Sequence, residues 1–263
     1  MSGRNEETFV IKQKRYEKIL EIVNEMRVVS IDDFCSKLGV SKATVRRDLI
    51  YLDDNNLLKR THGGAVSMVK PALEDVPISL RHRMFKEEKE RIAQAAIDLI
   101  YDGSTIYIGA GTTMRELASR LDVFSKLTVL TNDIGVAYEI SQRTSNDLIL
   151  AGGVLKKPTA SLVGSFTENI LRDLFVETAF MSSDSVKPQT GFMDYNIDEV
   201  AIKRIMLANA RRSVMLCDHS KFQNNAFMSI CPLSNVDLTI TDGDMDAALR
   251  KELVEDGMEL QIV

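Results

Sequence analysis

From residue 104 onward, short apolar runs alternate with amphipathic stretches, and this alternation limits the chain to a few architectures. The runs are STIYIGA, LTVLTN, DLILAGG, TAFMSSDSV, SVMLCDHSK and VDLTITD. Between them lie TTMRELASRL, DIGVAYEIS, FTENILRDL and DEVAIKRIMLANA, and MDAALRKELVEDG follows the last run. Strands alternating with helices at this spacing predict a mostly parallel sheet covered by helices, an α/β domain. Another helix, FKEEKERIAQAAIDLI, precedes the first strand and carries Ile92, Ala95, Ala96, Leu99 and Ile100 on one side. In such sheets, ligands bind beyond the carboxyl ends of the strands.

The first seventy residues have a different pattern. In KRYEKILEIVNEM, Tyr16, Ile19, Leu20 and Val23 recur at helical spacing. Ser30 is placed to cap a second helix that carries Phe34, Cys35 and Leu38 and ends at Gly39. Ser41 caps a third, with Val45, Leu49 and Leu52 on its inner face. Two short helices joined by a glycine turn predict a helix-turn-helix. Lys42, Thr44, Arg46 and Arg47 then cluster in the first half of the last helix, where a reader of the major groove needs them. LLKRTHGGAV reads as a wing turning at Gly63-Gly64, with Lys59, Arg60, His62 and Gly63 near backbone phosphates. At 263 residues, two domains are expected. We place a winged helix-turn-helix over 1–68, a linker with two prolines over 69–84 and the α/β domain over 85–263.

Charge follows the same division. Residues 1–70 hold 13 Lys/Arg and 10 Asp/Glu, a balance of +3, while the remainder hold 20 and 28, a balance of −8. A basic head on an acidic body points to a polyanion at the head. Three cysteines, Cys35, Cys217 and Cys231, are far apart and form no CxxC. That argues against a disulfide framework or a zinc site and fits a reducing cytoplasm. No run of eighteen apolar residues and no signal-peptide pattern occurs, so neither membrane spanning nor export is expected.

The chemistry collects at the strand ends. Gly109-Ala-Gly-Thr-Thr113 lies between a strand and a helix, where two glycines admit a ligand close to the backbone. It reads either as an anion site or as a tight turn with a Thr cap. It lacks the lysine of a P-loop and is shorter than a dinucleotide fingerprint, so no nucleotide cofactor is expected. Asn132, Gly152-Gly153, Asp184, Asp218 and Lys221 end other strands. Glu199 and Lys203, four apart, share a helix face and read either as site residues or as a surface ion pair.

Residues 12–66 resemble the DeoR-type winged helix-turn-helix of bacterial sugar-metabolism regulators, through RYEKILEIV and VSIDDFCSKLGVSKATVRRDLIYLDDNNLLKRTHGGA. Residues 85–243 resemble the DeoR-type effector domain, which is similar to ribose-5-phosphate isomerase and Rossmann-like. The matching stretches are EKERIA, IGAGTTMRELA, LTVLTND, LILAGG, GFMDYNIDEVAIKR and CDHSKF. The resemblance implies a transcription factor, typically a repressor, that binds double-stranded operator DNA and a phosphorylated sugar. It implies that Gly111, Thr112 and Thr113 hold the phosphate. Gly109, Asn132, Gly152, Gly153, Asp184, Glu199, Lys203, Asp218 and Lys221 would complete the site. Many regulators of this type have Asp where Gly109 stands. The isomerase's DGADE and KGGGG stretches are absent, and SSDSVKPQTG stands in their place. We therefore expect no catalytic residues, no metal and no cofactor; the alternative is a sugar-phosphate isomerase with an accessory DNA-binding head. One head offers few DNA contacts, so a homo-oligomer, dimer or tetramer, is expected on paired half-sites.

Overall fold

The computed structural model describes residues 15–263 apart from 17, 24, 25, 27, 55, 56, 62 and 68–77. The chain divides into two compact units, Met1–Ala72 and Leu73–Val263.

In the first unit a helical stretch over 18–23 buries Ile19, Ile22 and Val23. Strand β1 (Val28–Ser30) leads into α1 (Ile31–Leu38). Ser30 and Asp33 form a reciprocal capping box at its start, and Gly39 ends it in the left-handed conformation at φ 65°. Helix α2 (Lys42–Asp54) follows, its Thr44 amide donating to Ser41 Oγ at 3.3 Å. Val45, Leu49 and Leu52 are fully buried, as their spacing predicts. The wing consists of β2 (Leu58–Thr61) and β3 (Gly64–Ser67), and β1 pairs with β3 to give a three-stranded antiparallel sheet. Gly64 is thus the first residue of a strand, not part of the turn. A Cβ there would lie 1.9 Å from the Val29 carbonyl oxygen, so the β1–β3 approach requires glycine.

The second unit begins with α3 (Ile78–Arg83) and α4 (Lys86–Ile97). Residues 78–83, expected as linker, are therefore helical. Its main sheet has seven strands, in the order β15-β14-β12-β9-β4-β5-β6, and every pairing is parallel. The strands are β4 (Thr105–Ile108), β5 (Thr128–Thr131), β6 (Asp147–Leu150), β9 (Val176–Met181), β12 (Ala210–Leu216), β14 (Leu238–Thr241) and β15 (Leu260–Ile262). Helices α5 (Thr112–Ala118), α6 (Ile134–Arg143), α7 (Ser165–Arg172), α8 (Ile197–Asn209) and α9 (Ala247–Glu255) occupy the crossovers.

Both faces of this sheet are covered, which is why its strands read as near-continuous apolar runs. Ile106, Ile108, Phe180 and Val214 pack with α4, α5 and α6, whereas Tyr107, Ala179, Met181 and Met215 pack with α7 and α8. Two small antiparallel pieces were not expected from the sequence. One is the hairpin β7 (Val154–Lys156) and β8 (Ser161–Val163). The other is the sheet β10 (Ser185–Lys187), β11 (Gly191–Asp194) and β13 (Met228–Cys231). The second splits the run TAFMSSDSV after Met181, so Ser182–Asp184 form a connection between strands rather than the end of one. Among the described residues no helix is long and apolar enough to cross a membrane.

Candidate functional site

The strand order reverses between β4 and β9, and a cavity opens there beyond the carboxyl ends of β4, β9 and β12. The space at its mouth and within it, open solvent included, is about 790 Å³. From β4 come Gly111, Thr112 and Thr113; from β9, Ser183 and Asp184; from the turn after β12, Asp218, Ser220 and Lys221. Asp194 of β11, Asn196, and Glu199 and Lys203 of α8 contribute another part of the wall. Gly111 has φ 141°, a backbone value that favours glycine, and its position at the start of α5 leaves the first amides of that helix without a side-chain cap.

Glu199 and Lys203 do not form a surface ion pair, since they are 5% and 7% exposed. Lys203 instead pairs with the buried Asp194. Burial pulls the Lys203 pKa down, but Asp194, Glu199 and Asp184 outweigh this and raise it, so the ammonium stays charged. Glu199 accepts a hydrogen bond from Ser161 Oγ. Burial lifts its pKa to about 7, against the downward pull of Lys203 and Ser161. The cavity therefore combines cations and hydroxyls with four acidic side chains, Asp184, Asp194, Glu199 and Asp218. A ligand carrying an anionic group and several hydroxyls matches these cations, hydroxyls and carboxyl groups.

The structure brings Gly111, Thr112, Thr113, Asp184, Glu199, Lys203, Asp218 and Lys221 to one cavity wall. Gly109, Asn132, Gly152 and Gly153 are not on it. The Gly109 amide donates to Phe180 O at 2.9 Å, stitching β4 to β9. Asn132 is fully buried and its amide is engaged at both ends: Oδ1 accepts from Tyr107 Oη at 2.8 Å and Nδ2 donates to Leu162 O at 3.0 Å. Gly152 O accepts from Thr167 Oγ1 at 2.8 Å, and a Cβ on Gly153 would lie 2.0 Å from the same hydroxyl. The missing side chain of Gly153 lets α7 pack against the strand end, and the Gly152 carbonyl ties it there.

Asn196 was not singled out by sequence reasoning, although it lies within the quoted stretch GFMDYNIDEVAIKR. It is 5% exposed and caps α8. Its Oδ1 accepts from the Asp198 amide at 3.0 Å and from Lys156 Nζ at 3.1 Å. Two donors on Oδ1 fix the amide orientation, and among the described residues the buried Nδ2 has no partner. Arg81, within the expected linker, and Lys89, within the helix FKEEKERIAQAAIDLI, also line the cavity. His219, Asp242 and Asp244 place potential metal ligands within 4.8 Å of one another. The Asp242 carboxylate, however, already accepts from the His219 and Asp244 amides at 2.8 and 3.0 Å and faces His219 Nδ1 at 3.0 Å. That arrangement fastens a turn.

On the head, Arg46 and Arg47 are exposed on α2, and among the described residues neither has a hydrogen-bond or ion-pair partner. Ser41 and Thr44 are occupied in the cap, their hydroxyls 3.0 Å apart. Lys42 reaches Asp32 of α1 at 2.6 Å, and Lys59 lies 3.7 Å from Asp53. Arg60 and Gly63 are exposed on the wing, with the Arg60 amide donating to Asp53 Oδ1 at 3.2 Å. His62 lies outside the described residues.

Comparison with known proteins agrees with both units. Residues 15–70 match the DeoR-like helix-turn-helix domain, and residues 84–243 match the DeoR C terminal sensor domain. The chain is 30% identical to the glycerol-3-phosphate regulon repressor of Escherichia coli (strain K12), over 95% of this chain and 98% of that protein. It is 33% identical to the lactose phosphotransferase system repressor of Staphylococcus epidermidis (strain ATCC 12228 / FDA PCI 1200), over the same shares of the two chains. Among solved structures, ribose 5-phosphate isomerase A of Methanocaldococcus jannaschii is similar to 52% of this chain and 55% of its own, at 19% identity and a TM-score of 0.40. The chain, with its DNA-binding head and sensor domain, belongs to the DeoR family of transcriptional regulators.

Proposed function

We propose that the protein represses a carbohydrate-utilisation operon and that a phosphorylated sugar or sugar alcohol in the cavity changes its affinity for double-stranded operator DNA. The carrying observation is the composition of one wall: Thr112, Thr113, Lys89 and Lys221 supply donors for a phosphoryl group, while Asp184, Asp194 and Glu199 supply carboxyl groups for hydroxyls. The named regulons of the two relatives, glycerol-3-phosphate and the lactose phosphotransferase system, are of the same chemical kind. The ligand acts as an effector and needs no cofactor. Arg46 and Arg47 contact the major groove, and the wing residues Lys59, Arg60 and Gly63 lie along the phosphates. The protein works as a homo-oligomer, so that two heads engage paired half-sites. Exposed apolar side chains such as Phe166 and Phe175, 73% and 72% accessible, support a further protein surface.

A thermal-shift screen of sugar phosphates on the full chain tests the reading, because a ligand of the folded state raises apparent stability by mass action. At least one phosphorylated sugar is expected to raise the melting temperature where its unphosphorylated counterpart does not. Equal shifts from both would remove the phosphoryl group from the account.

A further inference from the structure

The stretch LILAGGVL, residues 148–155, holds no charge and no proline. It carries most of β6 and the start of β7, and none of it lines the cavity. Strand β6 forms one edge of the seven-stranded sheet, and among the described residues no strand pairs with its outer side. The amides of Asp147 and Ala151 donate inward to β5, to Leu127 O at 2.9 Å and Thr131 O at 2.8 Å. Strand residues alternate, so Leu148 and Leu150 turn their amides and carbonyls outward. An open edge is ordinarily blunted by charge, proline or a bulge. This one is surrounded by apolar side chains instead: Tyr138 of α6, Ile149, Leu150, Val154 and Leu155 are between 40% and 64% exposed. Gly152, just beyond the strand, has open space where a Cβ would stand, which leaves the approach clear. The opposite edge strand differs. In β15, Leu260 and Ile262 are half-buried and the exposed residue is Gln261.

The outward amides and carbonyls call for another strand, since a strand offers donors and acceptors at the same spacing. A second copy of β6 meets that need by symmetry. With the two strands antiparallel about a two-fold axis at Ile149, Leu148 of each copy exchanges hydrogen bonds with Leu150 of the other, and every outward group is paired. Ile149 then faces Ile149 in a non-hydrogen-bonded pair, where side chains approach most closely. Asp147 faces Ala151, so no like charges meet across the ladder. Leu148 lies on the α6 side of the sheet and Ile149 on the other, beside Leu130, so apolar side chains meet on both faces. The five exposed apolar side chains present on the order of 500 Å² per copy, most of the roughly 800 Å² per partner that a stable interface takes.

We infer that two copies of the chain join through antiparallel pairing of their β6 strands, so that the two main sheets become one across a two-fold axis. The inference rests on the homo-oligomer reading above and names the surface that makes it. It gives LILAGG a role outside the cavity and brings two sensor domains, and with them two DNA-binding heads, into one molecule.

Sedimentation velocity of the full chain over a concentration series tests this. Ile149 is exposed, so Ile149→Lys and Ile149→Glu keep the fold while each sets two like charges at the axis. Each variant alone is expected to associate at least about 100-fold more weakly than wild type. An equimolar mixture of the two should reassociate, because opposite charges then face each other. If either variant alone assembles as wild type does, or if the mixture stays apart, the inference is overturned and the homo-oligomer reading stands. A wild type that sediments as a monomer at every concentration overturns both.

Discussion

Arg15 grips Asp48 of the recognition helix α2 through two hydrogen bonds, Nε to Oδ2 at 2.5 Å and Nη2 to Oδ1 at 3.0 Å. Asp48 is 2% exposed and lies one residue beyond Arg47, so this pair sets how α2 presents its cationic face. Arg15→Met would leave a buried carboxylate without its partner. Because Arg15 is itself 19% exposed, we place the cost below that of a fully buried pair, at about 2 kcal/mol. Urea denaturation of the full chain, following the head's transition, measures it. A change below about 0.5 kcal/mol, the size of an ordinary surface substitution, would show that the pair is not structural.

Two glycines of the head should respond differently to alanine. Gly39 is left-handed, but an added Cβ would meet nothing within 4 Å. Gly39→Ala should cost about 1 kcal/mol, from backbone strain alone. Gly64→Ala would drive a Cβ into the Val29 carbonyl and separate β3 from β1. It should cost several-fold more and abolish DNA binding by displacing the wing. Equal denaturation midpoints for the two variants would contradict the β1–β3 account.

Among the cations of the head, the ion pairs set an order. Lys42 is engaged with Asp32 and Lys59 lies near Asp53, whereas Arg46 and Arg47 have no partner among the described residues. Arg46→Ala or Arg47→Ala should weaken DNA binding by about 1–3 kcal/mol if the side chain reads a base. A phosphate contact would instead give a uniform loss over sequences and a shallower salt slope. Lys42→Ala should weaken binding less than either. Fluorescence anisotropy over a salt series distinguishes these outcomes, and unchanged affinity in both arginine variants would remove α2 from the interface.

The main sheet was legible in the sequence because its strands are covered on both faces and read as continuous apolar runs. The helix-turn-helix was legible because caps and apolar spacing are local signals, from the Ser30 box to Gly39. The sheet β10-β11-β13 was not, because three- and four-residue strands carry no period. That sheet supplies Asp194, so the partner of Lys203 could not be read, and the local Glu199–Lys203 spacing left site residues and a surface pair both open. Asn132 and Gly153 illustrate the opposite failure. Polar and glycine residues at strand ends have the same pattern whether they face a ligand or lock a loop, and here the Tyr107 hydroxyl and the Thr167 side chain show that they lock loops. Lys89, in a charged helical stretch, gave no sign of its burial.

The raised pKa of Glu199 predicts a pH dependence of stability. Its folded value of about 7 exceeds its ordinary value of 4.5. The stabilising contribution of the protonated carboxyl is complete below the unfolded value and is lost as pH rises through about 7. Wild type should therefore lose up to about 3 kcal/mol from this group between pH 5 and pH 8, on the order expected for a shift of this size. Glu199→Gln, which stays neutral, should show a flatter profile and gain on wild type at pH 8. Parallel denaturation profiles over that range would place the titration elsewhere.

The central claim is that a phosphorylated ligand in the cavity governs the head. The direct measurement is the affinity of the full chain for a duplex it has selected from a random pool, titrated with a sugar phosphate that raises its melting temperature. Affinity should change by about 5–150-fold, the usual range for coupled sites. Thr113→Val, which removes a cavity hydroxyl, should bind the same duplex as tightly as wild type and lose the response. A wild-type affinity that stays constant while the cavity is saturated would contradict the account.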